Sequence, residues 1–199
     1  MTERRVASSL RILDTNVLAT ANGHHDGAPV ECIAECAAKL HSIMQGGHVV
    51  VDDAWRILTQ YANNIQGPGA GEVFLQWLFQ NNTNPLRCTH VTITPRPGDD
   101  TDFNEVPAPL ALPKGDRIDP ADRMFLAVSA AHPEHPAIVQ ATDSKWIGWE
   151  EALEAYGIKV EWVCRDYAES TYDGKMRDRP DRVRVRTKRT SKTRRKVRR

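Results

Sequence analysis

The sequence predicts an α/β fold in which helices cover both faces of a parallel sheet. Short apolar or β-branched runs alternate along the chain with segments whose apolar residues recur at helical spacing. Glycine and proline clusters separate these segments, and strands that alternate with helices favour parallel pairing with right-handed crossovers. The 199 residues are enough for one domain with its own hydrophobic core and a tail.

Two strands and four helical segments are predicted before residue 80. The strand over 10–13 is a short apolar run, and the strand over 48–51 is rich in β-branched residues. Apolar residues recur every three or four positions in the helical segments, and Gly46 and Gly47 end the longest of them. The predicted helices cover 17–21, 31–44, 54–63 and 72–79.

A long excursion is predicted over residues 80–118, where six prolines interrupt the periodic pattern. One strand is expected inside it, over 88–94, and Pro95 confines that strand to a sheet edge or shortens it. We interpret the excursion as a loop on the substrate side of the domain.

Regular elements resume at Asp119, which fits the N-cap of a helix with Pro120 at its first position. This helix is expected to end near Ala131. A further helix is predicted over 149–156, between strands over 137–141 and 158–163. The last of these strands is expected to end the regular elements.

Charge divides the chain into an acidic body and a basic arm. Residues 1–172 carry a net charge of −10, whereas 173–199 carry 14 Lys or Arg against 3 Asp. We therefore predict a domain over 1–172 and a disordered, basic C-terminal tail over 173–199. Such arms bind nucleic acid through phosphate neutralisation and counterion release, and the alternative is a solvated tail that lies on the acidic body. The candidate nucleic-acid-binding residues are Arg182, Arg184, Arg186, Lys188, Arg189, Lys192, Arg194, Arg195 and Lys196.

Membrane insertion and secretion are not expected from this sequence. Its apolar runs are only a few residues long, and the N-terminal segment lacks the apolar stretch of a signal peptide. Cys32 and Cys36 lie one helical turn apart, while Cys88 and Cys164 are isolated, and no zinc-site spacing of cysteine and histidine recurs. We therefore expect a cytoplasmic protein with four reduced cysteines.

Acidic residues occur where the predicted parallel strands end. Asp14 follows the first strand and Asp143 the strand over 137–141, while Asp122 begins a helix that leads away from the same edge. Ligands of open parallel sheets bind at the carboxyl ends of the strands. Clustered carboxylates repel one another and favour a hard cation such as Mg²⁺ or Mn²⁺, which polarises phosphates and activates water. Beside a basic arm, such a cluster predicts hydrolysis of phosphodiester bonds.

Each aspartate also has a structural alternative, because Asp is common at helix caps and in turns. Asp52 and Asp53 both follow the second strand, and either fits the N-cap of the next helix, so we interpret both as mainly structural. Both interpretations stay open for Asp119. The joint placement at strand ends favours a functional role for Asp14, Asp122 and Asp143.

Three segments resemble, in order, the acidic motifs of the PIN-domain ribonucleases. The run RILDTNVL over 11–18 resembles the opening motif of that family, and DRMFLAVSA over 122–130 resembles its later helix. The run ATDSKW over 141–146 resembles its last acidic motif. The resemblance covers about residues 9–163 and implies a three-layer α/β/α sandwich with a central parallel sheet.

The resemblance further implies a metal-dependent endoribonuclease that hydrolyses RNA with Mg²⁺ or Mn²⁺. The implied metal ligands are Asp14, Asp122 and Asp143. The residues expected to orient those ligands or a water molecule are Asn16, Ser144 and Asp119. Toxins of toxin–antitoxin pairs belong to the family and its members often form homodimers, so an inhibitor or antitoxin-like partner and a homodimer are further expectations.

One position departs from the family pattern. The family usually has a glutamate on the helix after its second strand, and the aligned residue here is Gln60. An amide binds a hard cation less well than a carboxylate does, so Gln60 is expected to be an imperfect fourth member of the site. The alternatives are a site that works with three aspartates alone, a site in which Asp53 or Asp119 compensates for the missing carboxylate, and a Glu→Gln substitution made in the laboratory. A catalytically inactive nucleic-acid-binding module is the alternative function, and an interaction protein that acts through its tail is a third.

Four other residues near the proposed edge receive simpler predictions. Arg56 and Lys145 are expected to lie near the acidic cluster, where either side chain is able to hold phosphate. Trp146 and Trp149 are expected to pack in the core, because they follow helical spacing.

Overall fold

A computed structural model describes residues 10–25, 27–106 and 118–177 of the chain. Its central sheet has five parallel strands in the order β3–β2–β1–β6–β7. A two-stranded antiparallel hairpin, β4–β5, stands apart from this sheet. The strands are β1 (Leu10–Leu13), β2 (His48–Asp52), β3 (Cys88–Val91), β4 (Pro95–Arg96), β5 (Asp99–Phe103), β6 (Ala137–Gln140) and β7 (Val160–Trp162).

Within the described residues, seven helices flank the sheet in an arrangement that is compatible with a three-layer sandwich. They are α1 (Thr15–Ala21), α2 (Val30–Gly46), α3 (Arg56–Asn64), α4 (Ala70–Asn81), α5 (Arg123–Ala131), α6 (Lys145–Glu154) and α7 (Arg165–Arg177). A 3₁₀ turn over Pro120–Asp122 precedes α5. The predicted α/β class and the parallel central sheet are therefore confirmed. No helix within the described ranges has the length and apolarity needed to cross a membrane.

The core lies on both faces of the three middle strands. Ile12 and Leu13 of β1, Val49–Val51 of β2, and Ile138 and Val139 of β6 are completely buried. Such continuous apolar runs are typical of parallel strands that helices cover on both sides. The predicted packing role of two aromatic residues is also confirmed, because the side chains of Trp146 and Trp149 are buried in this core.

The excursion over 80–118 contains more structure than the sequence analysis expects. The hairpin β4–β5 turns at Gly98, whose φ of 85° suits glycine. Arg96 fastens the hairpin by donating hydrogen bonds to the carbonyls of Phe103 and Val106. The side chains of Phe103 and Val106 are buried, so the hairpin is anchored in the core. Two prolines and three aspartates interrupt the alternation of apolar and polar residues, so this strand pair is not predicted from the sequence.

Helix α7 is not predicted from the sequence, in which the last predicted element is the strand that ends at Val163. The helix is strongly polar, and polar contacts hold it against α6. The guanidinium of Arg165 donates two hydrogen bonds to Glu150, at 2.8 and 3.0 Å. The helix continues past the predicted boundary at 172 and ends at Arg177. The candidate nucleic-acid-binding residues between Arg182 and Lys196 lie outside the described residues.

The expectation of four reduced cysteines is wrong for two of them. Cys32 of α2 and Cys164, directly before α7, form a disulfide across 132 residues of sequence. The fold brings together two cysteines that the spacing presents as unrelated. Cys36 and Cys88 are free and buried, and burial raises their pKa to about 12 and about 11.

Candidate functional site

The strands β1 and β6 are neighbours from which the chain crosses over in opposite directions along the sheet. After β1 it continues to β2 on one side, and after β6 it continues to β7 on the other. In open α/β sheets, ligands bind at such a switch point, outside the carboxyl ends of the strands. Asp14 directly follows β1, Asp143 lies three residues beyond β6, and Asp122 directly precedes α5, which leads into β6. The fold thus brings the three predicted carboxylates to one edge of the sheet.

Asp14 is buried and held by two hydrogen bonds. The backbone N–H of Asn16 donates to its Oδ1 at 2.8 Å, and the Gln140 side chain donates to its Oδ2 at 2.7 Å. The first bond caps α1, so the structural interpretation of Asp14 is confirmed alongside its place in the cluster. Burial raises the pKa of Asp14 to about 6 against the opposing effect of these hydrogen bonds, and the charge of Asp143 adds to the rise.

The side chain of Asn16 ties the ends of β1 and β6 together. Its amide nitrogen donates to Oε1 of Gln140 at 2.6 Å, and its Oδ1 accepts a hydrogen bond from the backbone of Ala141 at 2.9 Å. Gln140 in turn donates to Asp14, so three side chains form one connected network. The orientation of the Asp14 carboxylate is therefore fixed by partners on both strands.

Asp122 carries the most perturbed carboxylate at this edge. Its side chain is buried, and Oδ2 has no hydrogen-bond partner within the described part of the chain. Burial, followed by the negative charges of Asp14 and Asp143, raises the pKa of Asp122 to about 8. The three carboxylates are therefore close enough to act on one another electrostatically.

Lys145 is the cation among these acidic groups. Its ammonium pairs with Asp119 and lies 3.5 Å from Oδ2 of Asp143. Burial lowers its pKa, but the hydrogen bond to Asp119 and the charges of Asp143 and Asp122 outweigh burial, so the pKa rises above its ordinary value. Asp119 occupies the predicted N-cap position before Pro120, but its carboxylate binds Lys145 and makes no cap hydrogen bond.

Three buried side-chain oxygens around the end of β1 lack hydrogen-bond partners among the described residues: Thr15 Oγ1, Gln60 Oε1 and Asp122 Oδ2. Thr15 directly follows Asp14. Gln60 precedes Tyr61, whose hydroxyl donates to the carbonyl of Leu13, so this turn of α3 lies against the end of β1. Buried polar atoms normally have partners, and unpaired ones point to a water or an ion.

Ser144 is buried and bonded to the last helix rather than to the aspartates. Its Oγ accepts a hydrogen bond from Nζ of Lys175 at 3.2 Å. Lys175 is the first Lys or Arg of the basic segment over 173–199, and its partner Ser144 directly follows Asp143 in sequence. The basic segment therefore begins beside the acidic edge.

The structural interpretation of Asp52 is confirmed, and the guanidinium of Arg56 lies near Asp52 and the Phe103 ring. The fully buried carboxylate of Asp52 accepts hydrogen bonds from the backbone of Arg56 and Ile57, at 2.9 and 2.8 Å, and caps α3. The guanidinium of Arg56 lies 3.7 Å from Asp52 and 5.7 Å from the centre of the Phe103 ring. Asp53 is exposed and accepts a hydrogen bond from Thr92.

Sequence reasoning missed Thr15, Gln140 and Lys175 as members of this site. The signal for Gln140 was available, since it is the polar end of the apolar strand Ala137–Gln140. Thr15 stands inside the quoted motif, yet only the structure shows that its hydroxyl is buried without a partner. No sequence pattern connects Lys175 with Ser144, because their contact depends on how α7 packs against α6.

No three carboxylate oxygens from three different described residues lie within 4.8 Å of one another at this edge. Among the described residues, the only three ligand atoms within 4.8 Å of one another belong to Cys32, Cys36 and Cys164, two of which are bonded to each other. Comparison of the chain with protein-family models, curated proteins and solved structures finds no match. Functional inference therefore depends on the chemistry of the edge itself.

Proposed function

We propose that this protein is a metal-dependent endoribonuclease that hydrolyses RNA phosphodiester bonds with Asp14, Asp122 and Asp143. The observation that carries the proposal is the meeting of three distant carboxylates at the switch point of a parallel sheet, with Asp122 Oδ2 buried and unpaired. The order of the three motifs, which resembles that of PIN-domain ribonucleases, supports the same activity. A role as a toxin or in defence is part of the proposal.

The residues at this edge fit Mg²⁺ or Mn²⁺. Both cations prefer hard oxygen donors, and the edge offers carboxylate, hydroxyl and amide oxygens. Burial and mutual repulsion make the ionised forms of Asp14 and Asp122 unfavourable, as their raised pKa values indicate. Asp14, Asp122 and Asp143 would hold such a cation, whose charge would relieve that repulsion; Asp122 Oδ2, which has no hydrogen-bond partner among the described residues, would be one of its donors. Thr15 and Gln60 offer the two other unpaired oxygens.

When bound, such a cation supplies Lewis-acid polarisation of the phosphate and lowers the pKa of a water molecule. The chain's own residues orient the site. Asn16 and Gln140 hold Asp14 in one rotamer, and Lys145 balances the charge of Asp143 and Asp119. Lys145, whose Nζ lies 3.5 Å from Oδ2 of Asp143, is the side chain that would contact a phosphate oxygen of RNA at this edge. Gln60 takes the fourth position without adding a charge.

The basic arm over 173–199 supplies sequence-independent affinity for the RNA backbone in this proposal. The contact between Lys175 and Ser144 supports it, because it brings a cation of this segment to the residue that follows Asp143. An acidic inhibitor or antitoxin-like protein is a second candidate ligand for the arm. A homodimer and a cytoplasmic location complete the proposal.

An RNA-binding module without turnover is the second candidate function, and Gln60 favours it. A neutral amide in place of a carboxylate weakens the hold on a hard cation. Binding that falls with salt and survives chelation, without cleavage products, is the outcome expected of this module. An interaction protein that acts only through its tail predicts instead that Asp14→Asn changes nothing.

Cleavage of labelled single-stranded and structured RNA in Mn²⁺ tests the proposal. We expect cleavage by the unmodified full chain, loss of cleavage in Asp14→Asn and faster cleavage in Gln60→Glu. Asp100→Asn, which removes an exposed carboxylate on β5, is the matched control and should cleave normally. Equal cleavage by Asp14→Asn contradicts the proposal. RNA binding without cleavage by either the unmodified chain or Gln60→Glu supports the binding module.

A further inference from the structure

Two exposed aromatic rings form a stacked pair on the surface of the domain. Trp55 precedes α3 and Phe79 lies near the end of α4, with 44% and 39% of their surface exposed. Their ring centres are 6.3 Å apart and their planes differ by 24°, which is an offset stack. Large aromatic residues are usually well buried, so an exposed stack calls for a reason.

The backbone at Trp55 is strained in a way that capping does not explain. Trp55 has φ 64° and ψ 19°, a left-handed conformation that is unfavourable for a bulky residue. It makes no side-chain cap hydrogen bond, since Asp52 caps α3 in its place. Glycine or asparagine fits this conformation at lower cost. Strained residues that the local structure does not require are candidates for function.

The stacked pair lies at the same edge of the sheet as the carboxylates. Trp55 follows the end of β2 by three residues, and β2 pairs directly with β1, whose end holds Asp14. Neighbouring strands are about 4.8 Å apart, so the two strand ends are adjacent positions along one edge. A polynucleotide chain that crosses the carboxylate cluster toward β2 therefore meets the Trp55 ring.

We infer that Trp55 and Phe79 form a platform on which an unpaired base of the RNA substrate stacks beside the cleavage site. This inference rests on the proposed function, which it deepens by naming single-stranded RNA as the substrate class. Every base has a π face, so such a platform accepts all four bases but requires a base that is free of its duplex partner. Phe79 stacks on one side of the Trp55 ring, and 44% of the Trp55 surface stays exposed.

The surroundings of the pair favour a nucleobase over a protein partner. A stable protein interface covers about 800 Å² on each side, and two rings provide only a small part of that area. Val73, another exposed apolar residue of α4, is six positions from Phe79 and so lies on a different face of the helix. A single base needs no more than one ring face.

Fluorescence anisotropy of the full chain with a labelled single-stranded RNA in EDTA measures this stacking without turnover. Trp55→Gly removes the ring and relaxes the backbone, so it should fold with an unchanged or higher Tm. We expect it to bind about 5- to 150-fold more weakly, the range that loss of one base–aromatic stack produces. Trp55→Tyr should restore most of the affinity. Leu86→Ala, which truncates the exposed Leu86, is the matched control and should bind normally.

Abasic substitution along the same RNA provides the sharper comparison. One abasic position should weaken binding to the unmodified chain and have no effect on Trp55→Gly. Equal RNA affinity of folded Trp55→Gly and the unmodified chain overturns the inference. The inference is also overturned if the only effect of Trp55→Gly is to convert a dimer into a monomer, because the pair is then a protein interface. Absence of any RNA affinity in EDTA overturns the platform, whereas the nuclease is judged separately by cleavage in Mn²⁺. Binding with the expected Trp55 dependence but without cleavage supports the platform and counts against the nuclease.

Discussion

The side-chain amide of Gln140 donates a hydrogen bond of 2.7 Å to Oδ2 of Asp14, and this contact joins the ends of two neighbouring strands. Asp14 follows β1 and Gln140 ends β6, so the pair lies at the switch point of the sheet. Both side chains are buried, and 126 residues of sequence separate them. The position of the carboxylate therefore depends on correct pairing of β1 with β6.

Replacement of Gln140 by leucine should destabilise the domain by about 1–3 kcal/mol, because Asp14 and Asn16 each lose a buried hydrogen-bond partner. Urea denaturation of the unmodified chain and the variant measures this difference. Gln76→Ala is the control, since Gln76 is exposed and its amide donates a hydrogen bond to Glu72 on the helix surface, and it should change the free energy of unfolding by less than about 0.5 kcal/mol. A leucine variant as stable as the unmodified chain contradicts the account of this network.

The stability of the metal-free protein should fall as the pH rises from about 4 to about 8. The pKa values of Asp14 and Asp122 are raised to about 6 and about 8, so the folded state binds protons more tightly than the unfolded state. Their stabilising contribution is complete below the unfolded pKa and is lost as the pH passes through each folded pKa. Thermal denaturation in EDTA across this range checks the sign.

Mn²⁺ should reduce this loss of Tm at pH 8, because a bound cation stabilises the ionised carboxylates. Asp122→Asn should flatten the metal-free pH dependence, since it removes the group with the higher pKa. Asp100→Asn is the control for the loss of one negative charge and should leave the profile unchanged. A Tm that rises from pH 5 to pH 8 in EDTA runs against the predicted sign.

Lys145→Ala should bind Mn²⁺ about two- to fivefold more tightly, because removal of the ammonium leaves Asp119 and Asp143 free of a competing cation. The same variant should cleave RNA more slowly, since the proposed phosphate contact is lost. Titration calorimetry and single-turnover cleavage separate the two effects. Weaker Mn²⁺ binding in the variant indicates instead that Lys145 holds the carboxylates in place for the metal.

The disulfide between Cys32 and Cys164 should contribute about 2–5 kcal/mol, because it closes a long loop and joins α2 to the start of α7. Dithiothreitol should therefore lower the Tm of the unmodified chain and have no effect on Cys32→Ala/Cys164→Ala. Cys36 and Cys88 should resist alkylation in the folded protein, since burial keeps their thiols protonated. A Tm that is insensitive to dithiothreitol in the unmodified chain, despite complete reduction, contradicts the stabilising role.

Structural disulfides are rare in reducing compartments, so this bond also bears on the predicted cytoplasmic location. Alkylation of free thiols at cell lysis, followed by mass spectrometry, measures whether Cys32 and Cys164 are oxidised or reduced in the cell. Complete oxidation of the Cys32–Cys164 pair counts against a reducing compartment.

Local patterns predict the frame of the fold and one part of the site. The strands β1, β2 and β6 are predominantly apolar, and a polar residue at or directly after the end of each, Asp14, Asp52 or Gln140, marks the carboxyl edge. The cap at Asp52 is equally local, because its partners are the backbone groups of the next helix. These features depend on residues that are neighbours in sequence.

The rest of the site depends on contacts between distant segments, which no sequence window contains. The binding of Lys145 to Asp119 joins α6 to the turn before α5, and the Cys32–Cys164 bond joins α2 to α7. Helix α7 is rich in charged and polar residues, which obscure the face that buries Ala168, and the hairpin β4–β5 is obscured by its prolines and aspartates. Orphaned oxygens such as Gln60 Oε1 are visible only once packing is known.

The most direct test of the central claim is a crystal structure of the full chain with Mn²⁺, with anomalous difference maps recorded for manganese. The account predicts a peak within coordination distance of Asp14, Asp122 and Asp143, with Nζ of Lys145 displaced from Asp143. Asp122→Asn should abolish that peak. Unchanged pairing of Lys145 with the carboxylates at saturating Mn²⁺, and no peak at this edge, contradict the account.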